Sequence, residues 1–368
     1  MPLTFAEADR LFRNNQIDEL SGEEDGRRFL KLRSLSRTEN LEALFRSAGV
    51  PKPELGTRQL FHAAFDAHIP TETVEHVIRE IYGTEREVRR AREPELVNQL
   101  YRVAEFNWGR LHRNSLEKTI VDNYVKKITD YEELCGCVEN ELLASLRGYV
   151  ICSWYNHWTS IIIEDIFKDH KSVLPAVGLV KKIDFFVMDV PFDLKVTYLP
   201  EEYVADKRKQ AGLRPEITLL RQQARQNAIP IDNTLSSGGL VQDLWAKISD
   251  HPAAGCRDLI ATLARFRNDL VTAIEQEPSE LIRWLYEHQG QRRFDASNRL
   301  FLVLVDQRNY FESWKLKRVK PLMEAAIDRH LNERVPGRRV TFRWEGDEYS
   351  AVSDLIIVRQ TPVQPPVT

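Results

Sequence analysis

The stretch Lys182-Ile-Asp-Phe-Phe-Val-Met-Asp-Val-Pro-Phe-Asp-Leu-Lys-Val-Thr197 decides how the chain is read. Apolar residues recur at Ile183, Phe185 and Val187 and again at Val190, Phe192, Leu194 and Val196, the period of two that turns one face of each of two consecutive strands toward a core. The opposite face then carries Asp184, Asp193 and Lys195. With Met188-Asp189 as a two-residue loop, Val187 lies opposite Val190, and counting back along the ladder sets Asp184 opposite Asp193.

Two like charges facing each other on a sheet repel by ~0.2–1 kcal/mol in water and by more when shielded from it, so the pairing calls for a cation. Magnesium suits the site: it takes oxygen ligands, is held by one or two carboxylates, and completes its shell with water and substrate phosphate. Lys195 projects to the same side as Asp193. There it can position or deprotonate a water, or neutralise a phosphoryl oxygen as charge develops. These residue types in this pattern point to metal-assisted phosphodiester hydrolysis.

Asp184 followed by Asp193-Leu194-Lys195 on the next strand resembles the signature of the PD-(D/E)XK nucleases, the superfamily of many restriction endonucleases and repair nucleases. Asn156-His-Trp-Thr-Ser before the hairpin and Phe192-Asp-Leu-Lys-Val-Thr within it strengthen the resemblance, which spans roughly Trp108 to Val358. It departs from the pattern where Ile183 stands in place of the usual proline. The resemblance implies an α/β fold, a restriction-endonuclease-like mixed sheet flanked by helices. It also implies Asp184 and Asp193 as catalytic metal ligands, Lys195 as the catalytic lysine, and a further glutamate from the preceding helix. Glu164 is the candidate for that glutamate, with Glu117 as a substitute. The carbonyl of Leu194 is an additional metal ligand by the same analogy, and manganese is an expected stand-in for magnesium.

The implied activity is a magnesium-dependent DNA endonuclease of a restriction or anti-phage system, acting on double-stranded DNA, with a homodimer and a cognate methyltransferase among the partners it would have. Three rival readings use the same residues: a structure-specific repair or recombination nuclease, a DNA-binding protein on an inactive nuclease scaffold, and a hydrolase of small phosphoesters. A solvated strand face can also carry Asp and Lys. Two acids paired across one turn favour a site over that reading.

The 368 residues allow two domains and a sizeable core, and 42% hydrophobic with 29% charged residues is ordinary for a globular protein. A formal net charge of -3 supplies no general attraction to nucleic acid, so a polyanion site must be a local patch. The four cysteines lack zinc-site spacing, Cys135-Gly-Cys137 being one residue too short. The first residues carry no basic, apolar leader and no window reaches the ~20 apolar residues of a membrane span, so a cytoplasmic location is expected.

Along the chain, Thr4 to about Arg92 reads as an all-helical N-terminal domain, 1–92, for support or DNA binding. Its Leu41–Ile81 portion could hold a helix-turn-helix, although Arg58, His62 and His68 make no recognition face. The charged run Gly83 to Pro94 is the expected boundary, followed by the nuclease domain, 93–362. Helices are expected from Glu95 through Trp108, and from Gly148 to His170, the latter with Trp154, Trp158 and Ile161 facing the core. Asn298-Arg-Leu-Phe-Leu-Val-Leu-Val-Asp306 is a buried central strand. On the helix after the hairpin, Arg221, Gln222 and Arg225 are candidate DNA-binding residues, as are Arg292 and Arg293 before the central strand.

Overall fold

Thr4 opens the first helix with a capping box: its hydroxyl accepts from the Glu7 amide at 3.3 Å while the Glu7 carboxylate accepts from the Thr4 amide at 3.0 Å. The computed structural model describes residues 3–14, 16–108, 116–178, 180, 183–288, 298–333, 337–344 and 346–361. The amino-terminal layer comprises α1 (Phe5–Arg13), α2 (Ile17–Gly22), α3 (Glu24–Ser34), α4 (Thr38–Ser47), α5 (Thr57–Asp66) and the long α6 (Thr71–Leu100). Short α7 (Leu116–Ile120) and α8 (Tyr131–Cys137), each running into a wider π turn, lead to α9 (Leu143–Asp169).

Next come β1 (Val173–Pro175), β2 (Phe185–Val187) and β3 (Val190–Tyr198), then α10 (Glu201–Gln210), α11 (Glu216–Gln226), α12 (Ser237–Ser249), α13 (Ala254–Gln276) and α14 (Ser279–His288). β4 (Arg299–Asp306), a 3-10 segment at Tyr310–Arg318, α15 (Lys320–Glu333), β5 (Arg338–Trp344) and β6 (Asp347–Gln360) complete the order. The strands form one mixed sheet in the order β1-β2-β3-β4-β6-β5. β1 to β3 run antiparallel, β4 lies parallel to both β3 and β6, and β5 returns antiparallel on the edge. The protein is thus a mixed α/β structure, as expected from the alternation of strand and helix patterns.

β4 is buried at every position, because Leu300, Leu302 and Leu304 enter a core with α9 and α15 while Phe301, Val303 and Val305 enter a second with α10, α13 and α14. A satellite core joins α11, α12 and α13 through Leu220, Leu244 and Leu263. Arg267 ties it to the rest: its buried guanidinium binds both Glu201 and Glu216 and lies over Trp245, Tyr310 and Phe311. No helix among the described residues is long and apolar enough to cross a membrane.

Three local expectations change. The charged run 83–94 is no linker; it lies inside α6, which continues through Pro94. Arg86, Arg89, Arg90 and Glu93 recur at helical spacing, so they share one face and meet Asp165, Asp169 and Lys320, with Arg86 and Glu93 buried and Arg90 at the exposed rim. Secondly, α6 ends at Leu100, short of Trp108. Thirdly, the buried stripe of α9 is Cys152, Tyr155, Thr159, Ile162, Ile163 and Ile166, which leaves Trp154 exposed. The amino-terminal helices also share a core with Leu174, Val177, Ile183 and Phe186 around the hairpin, so both faces of the hairpin are covered. Alternation alone missed this because Ile183 precedes β2 and turns the opposite way from Phe185.

Candidate active site

Met188 and Asp189 adopt positive φ angles of 49° and 66°, the paired left-handed conformations that let a two-residue turn match the twist of its strands. Val187 pairs with Val190 and Phe185 with Phe192, the expected register. Asp189 is also gripped from the amino-terminal layer: the buried Lys31 ammonium donates to it at 2.7 Å and to Glu75 at 2.6 Å. The hairpin tip is therefore fixed at both backbone and side-chain level.

Beyond Phe185 the ladder departs from the simple count. The Asp184 amide donates to the Phe192 carbonyl at 2.8 Å, its carbonyl accepts from Ala176, and its carboxylate accepts from the Leu194 amide at 2.7 Å. The regular pairing thus stops at Phe185↔Phe192, and the expected Asp184–Asp193 ladder pair is not formed. The reason is competition: Asp193 gives its amide to Asn298 as β3 turns to β4, which leaves the Leu194 amide to the Asp184 side chain.

The acids still converge electrostatically. Burial pushes the Asp184 carboxyl up to about 6, and the negative charges of Glu164 and, less strongly, Asp193 push in the same direction, against the Leu194 hydrogen bond and the Lys168 ammonium. Glu164, one turn from the end of α9, pairs with Lys168 at 2.9 Å. Asp193 accepts from the Lys195 ammonium at 2.7 Å and lies 3.7 Å from the Arg299 guanidinium, with Lys195 itself 46% exposed. Glu164, Asp184, Asp193, Leu194 and Lys195 are therefore brought into one neighbourhood by α9, the hairpin and the start of β4.

Lys168 and Arg299 were not foreseen as part of it. Both carried a signal: Lys168 follows Glu164 by four residues, and Arg299 is the first residue of the central strand, in register with Asp193. Among the described residues no three His, Cys, Asp or Glu side chains converge closely enough to enclose a metal ion as they stand. Here each outer acid is turned to its lysine, while Asp184 faces a backbone amide.

The other candidates lie apart from this cluster. Arg221, Gln222 and Arg225 are on α11, which packs on α12 and α13; Gln222 and Arg225 are exposed and Arg221 is half-buried. Arg292 and Arg293 lie outside the described residues. Glu117 is exposed on α7. His157 is exposed beside the Trp158 ring, and His170 bonds Ser172 at 2.7 Å at the end of α9. Compared with protein-family models, curated proteins and solved structures, the chain matches none of them.

Proposed function

We propose that the protein is a magnesium-dependent DNA endonuclease with a restriction-endonuclease-like core, serving restriction or anti-phage defence. The observation that carries this reading is the Asp184 carboxyl, raised to about 6 by burial and by two neighbouring acids beside an exposed lysine. A buried carboxyl raised among other acids and met by a backbone amide is a habitual feature of catalytic sites. The order helix, hairpin, helix, parallel central strand is in keeping with the fold that the PD-(D/E)XK resemblance implies.

The donor set fits magnesium in kind: all-oxygen, and carried by α9, β3 and the residue just before β2. Asp184, Asp193 and Glu164 would hold the ion, with the Leu194 carbonyl beside them; manganese would substitute. Bound there, the metal would polarise the scissile phosphate and lower the pKa of a water. Lys195 reaches solvent from Asp193, where its ammonium can orient that water or stabilise charge on a phosphoryl oxygen. Lys168 and Arg299 hold the outer acids in place until a cation shares their charge. Arg221, Gln222 and Arg225 on α11 are the proposed contacts to duplex DNA.

Plasmid, linear duplex and single-stranded DNA, each incubated with wild type and Asp184→Asn with magnesium, with manganese and with chelator, test the reading. Discrete duplex fragments that need metal and Asp184 are expected. Smears or end digestion would favour the repair nuclease, and binding without cleavage under any metal would favour the inactive scaffold. Cleavage undiminished in Asp184→Asn would refute the site.

A further inference from the structure

A concentration of positive charge lies in the amino-terminal layer, far in sequence from the carboxylates. A cavity of about 400 Å³ opens between α1, α3 and α5, within the range of small-molecule sites, and is lined by Phe5, Asp9, Arg13, Arg33, Ser36, Thr57, Arg58 and Phe61. Three guanidinium groups and one carboxylate meet there. Asp9 pairs with Arg13 at 2.6 Å and more distantly with Arg58 at 3.7 Å, so most of its charge is taken by Arg13.

Arg33 is the distinctive member. It leaves the last turn of α3 half-buried, its guanidinium held over the Phe12 ring at 5.1 Å and the Phe61 ring at 5.4 Å, and among the described residues it has no carboxylate partner. Aromatic faces fix a guanidinium in place without neutralising it. The pocket thus holds a pre-positioned cation in a partly shielded wall, where attraction to an anion exceeds that of a solvated surface arginine. Thr57 begins α5, whose N-cap residue Gly56 offers no side chain to the first-turn amides, so the positive end of that helix also faces this wall. The Ser36 hydroxyl and the Thr57 hydroxyl, which lies 2.7 Å from that of Thr38, add neutral polar groups, and the half-buried Phe5 gives an apolar floor.

We propose that this pocket binds an organic phosphate monoester, as carried by a nucleoside 5′-monophosphate or by the 5′-phosphorylated end of a nucleic-acid strand. Two guanidinium charges beyond the Arg13–Asp9 pair match the roughly two negative charges of a monoester at neutral pH. A diester, with one charge, would leave one cation unmatched. The site is independent of the carboxylate cluster and needs no metal.

Binding to the full-length protein in chelator is measured by calorimetry and fluorescence anisotropy. The probes are inorganic phosphate, a deoxynucleoside 5′-monophosphate, and one single-stranded oligonucleotide with either a 5′-phosphate or a 5′-hydroxyl. Phosphorylated probes should bind at least about tenfold more tightly than the 5′-hydroxyl strand, and Arg33→Gln should remove about that factor. Arg58→Gln should weaken binding severalfold, and Asp184→Asn should leave it unchanged. Preference for the mononucleotide alone would identify a free nucleotide as the source; binding of both would identify a strand end. No binding of either phosphorylated probe, or equal affinity for the two strands with the mononucleotide bound no more tightly than they are, would overturn the proposal. If circular dichroism shows Arg33→Gln misfolded, the exposed Arg58→Gln decides, and wild-type affinity in that variant would overturn it too.

Discussion

Glu164 and Asp165 are neighbours on α9 and serve opposite purposes. Asp165 turns toward α6, where Arg89 binds both its oxygens at 2.8 Å and Arg86 stands 3.6 Å away; four residues on, Asp169 takes Arg86, Arg90 and the Tyr82 hydroxyl. Burial opposes ionisation of Asp169, yet Arg86 and Tyr82 hold its carboxyl below the usual range. Glu164, rotated about a hundred degrees around the same helix, turns toward Asp184, whose carboxyl is driven the other way. One flank of the helix surrounds its acids with arginines and locks two layers together, whereas on the other Asp184 is met by a backbone amide and feels the charges of Glu164 and Asp193. The first arrangement stabilises; an acid held up in the second is kept for something it binds.

The comparison breaks first at the Asp184 flank. Lys195→Ala should cut metal-dependent DNA cleavage by at least about a hundredfold, since it removes charge aimed at the transition state. Its melting temperature should stay close to wild type because the Lys195 side chain is half-exposed and Arg299 remains beside Asp193. Near wild-type cleavage rates would return this flank to a plain surface.

On the arginine-lined flank, Asp165→Ala should lower unfolding free energy by about 3 kcal/mol in urea titrations, because it takes both short hydrogen bonds from Arg89 and one of the three carboxylates around the buried Arg86. A loss below about 1 kcal/mol, the range of exposed pairs, would mean that the network is not the lock described.

A pH titration in chelator sharpens the contrast further. With its native pKa raised to about 6, Asp184 makes the folded state bind more protons than the unfolded chain between about pH 4 and 6. Stability should therefore fall as pH rises through that window, by up to about 3 kcal/mol relative to Asp184→Asn, and level off above it. The variant keeps an acceptor for the Leu194 amide, so a constant difference between the two proteins across this range would refute the shift.

The smallest effect concerns α11, where Arg221 and Arg225 are set against the fully paired Arg267 on the adjacent helix. Reversing both charges should weaken DNA binding alike on all sequences and flatten its salt dependence by about two units of slope. An unchanged slope would assign this helix to solvent.

What local sequence determined here is what local physics controls. Alternation with a period of two, a turn pair able to adopt positive φ, and the continuous apolar run at β4 specify hairpin and central strand with few long-range terms. The nearness of Asp184, Asp193 and Lys195 follows from that hairpin. Glu164 could be named, but not distinguished from Asp165 by spacing, since one residue of helix rotation separates them and only the position of α6 tells which flank is filled. The charged run of α6 reads as a domain boundary until Asp165 and Asp169 meet it, and the short β1 has too few residues to show a period. The arginine pocket draws on α1, α3 and α5, from Phe5 to Phe61, and no single segment shows three cations with one counter-charge. These features were left to tertiary structure because charge balance depends on what packs opposite a helix face, and the order of residues along one chain segment does not record its opposite partner.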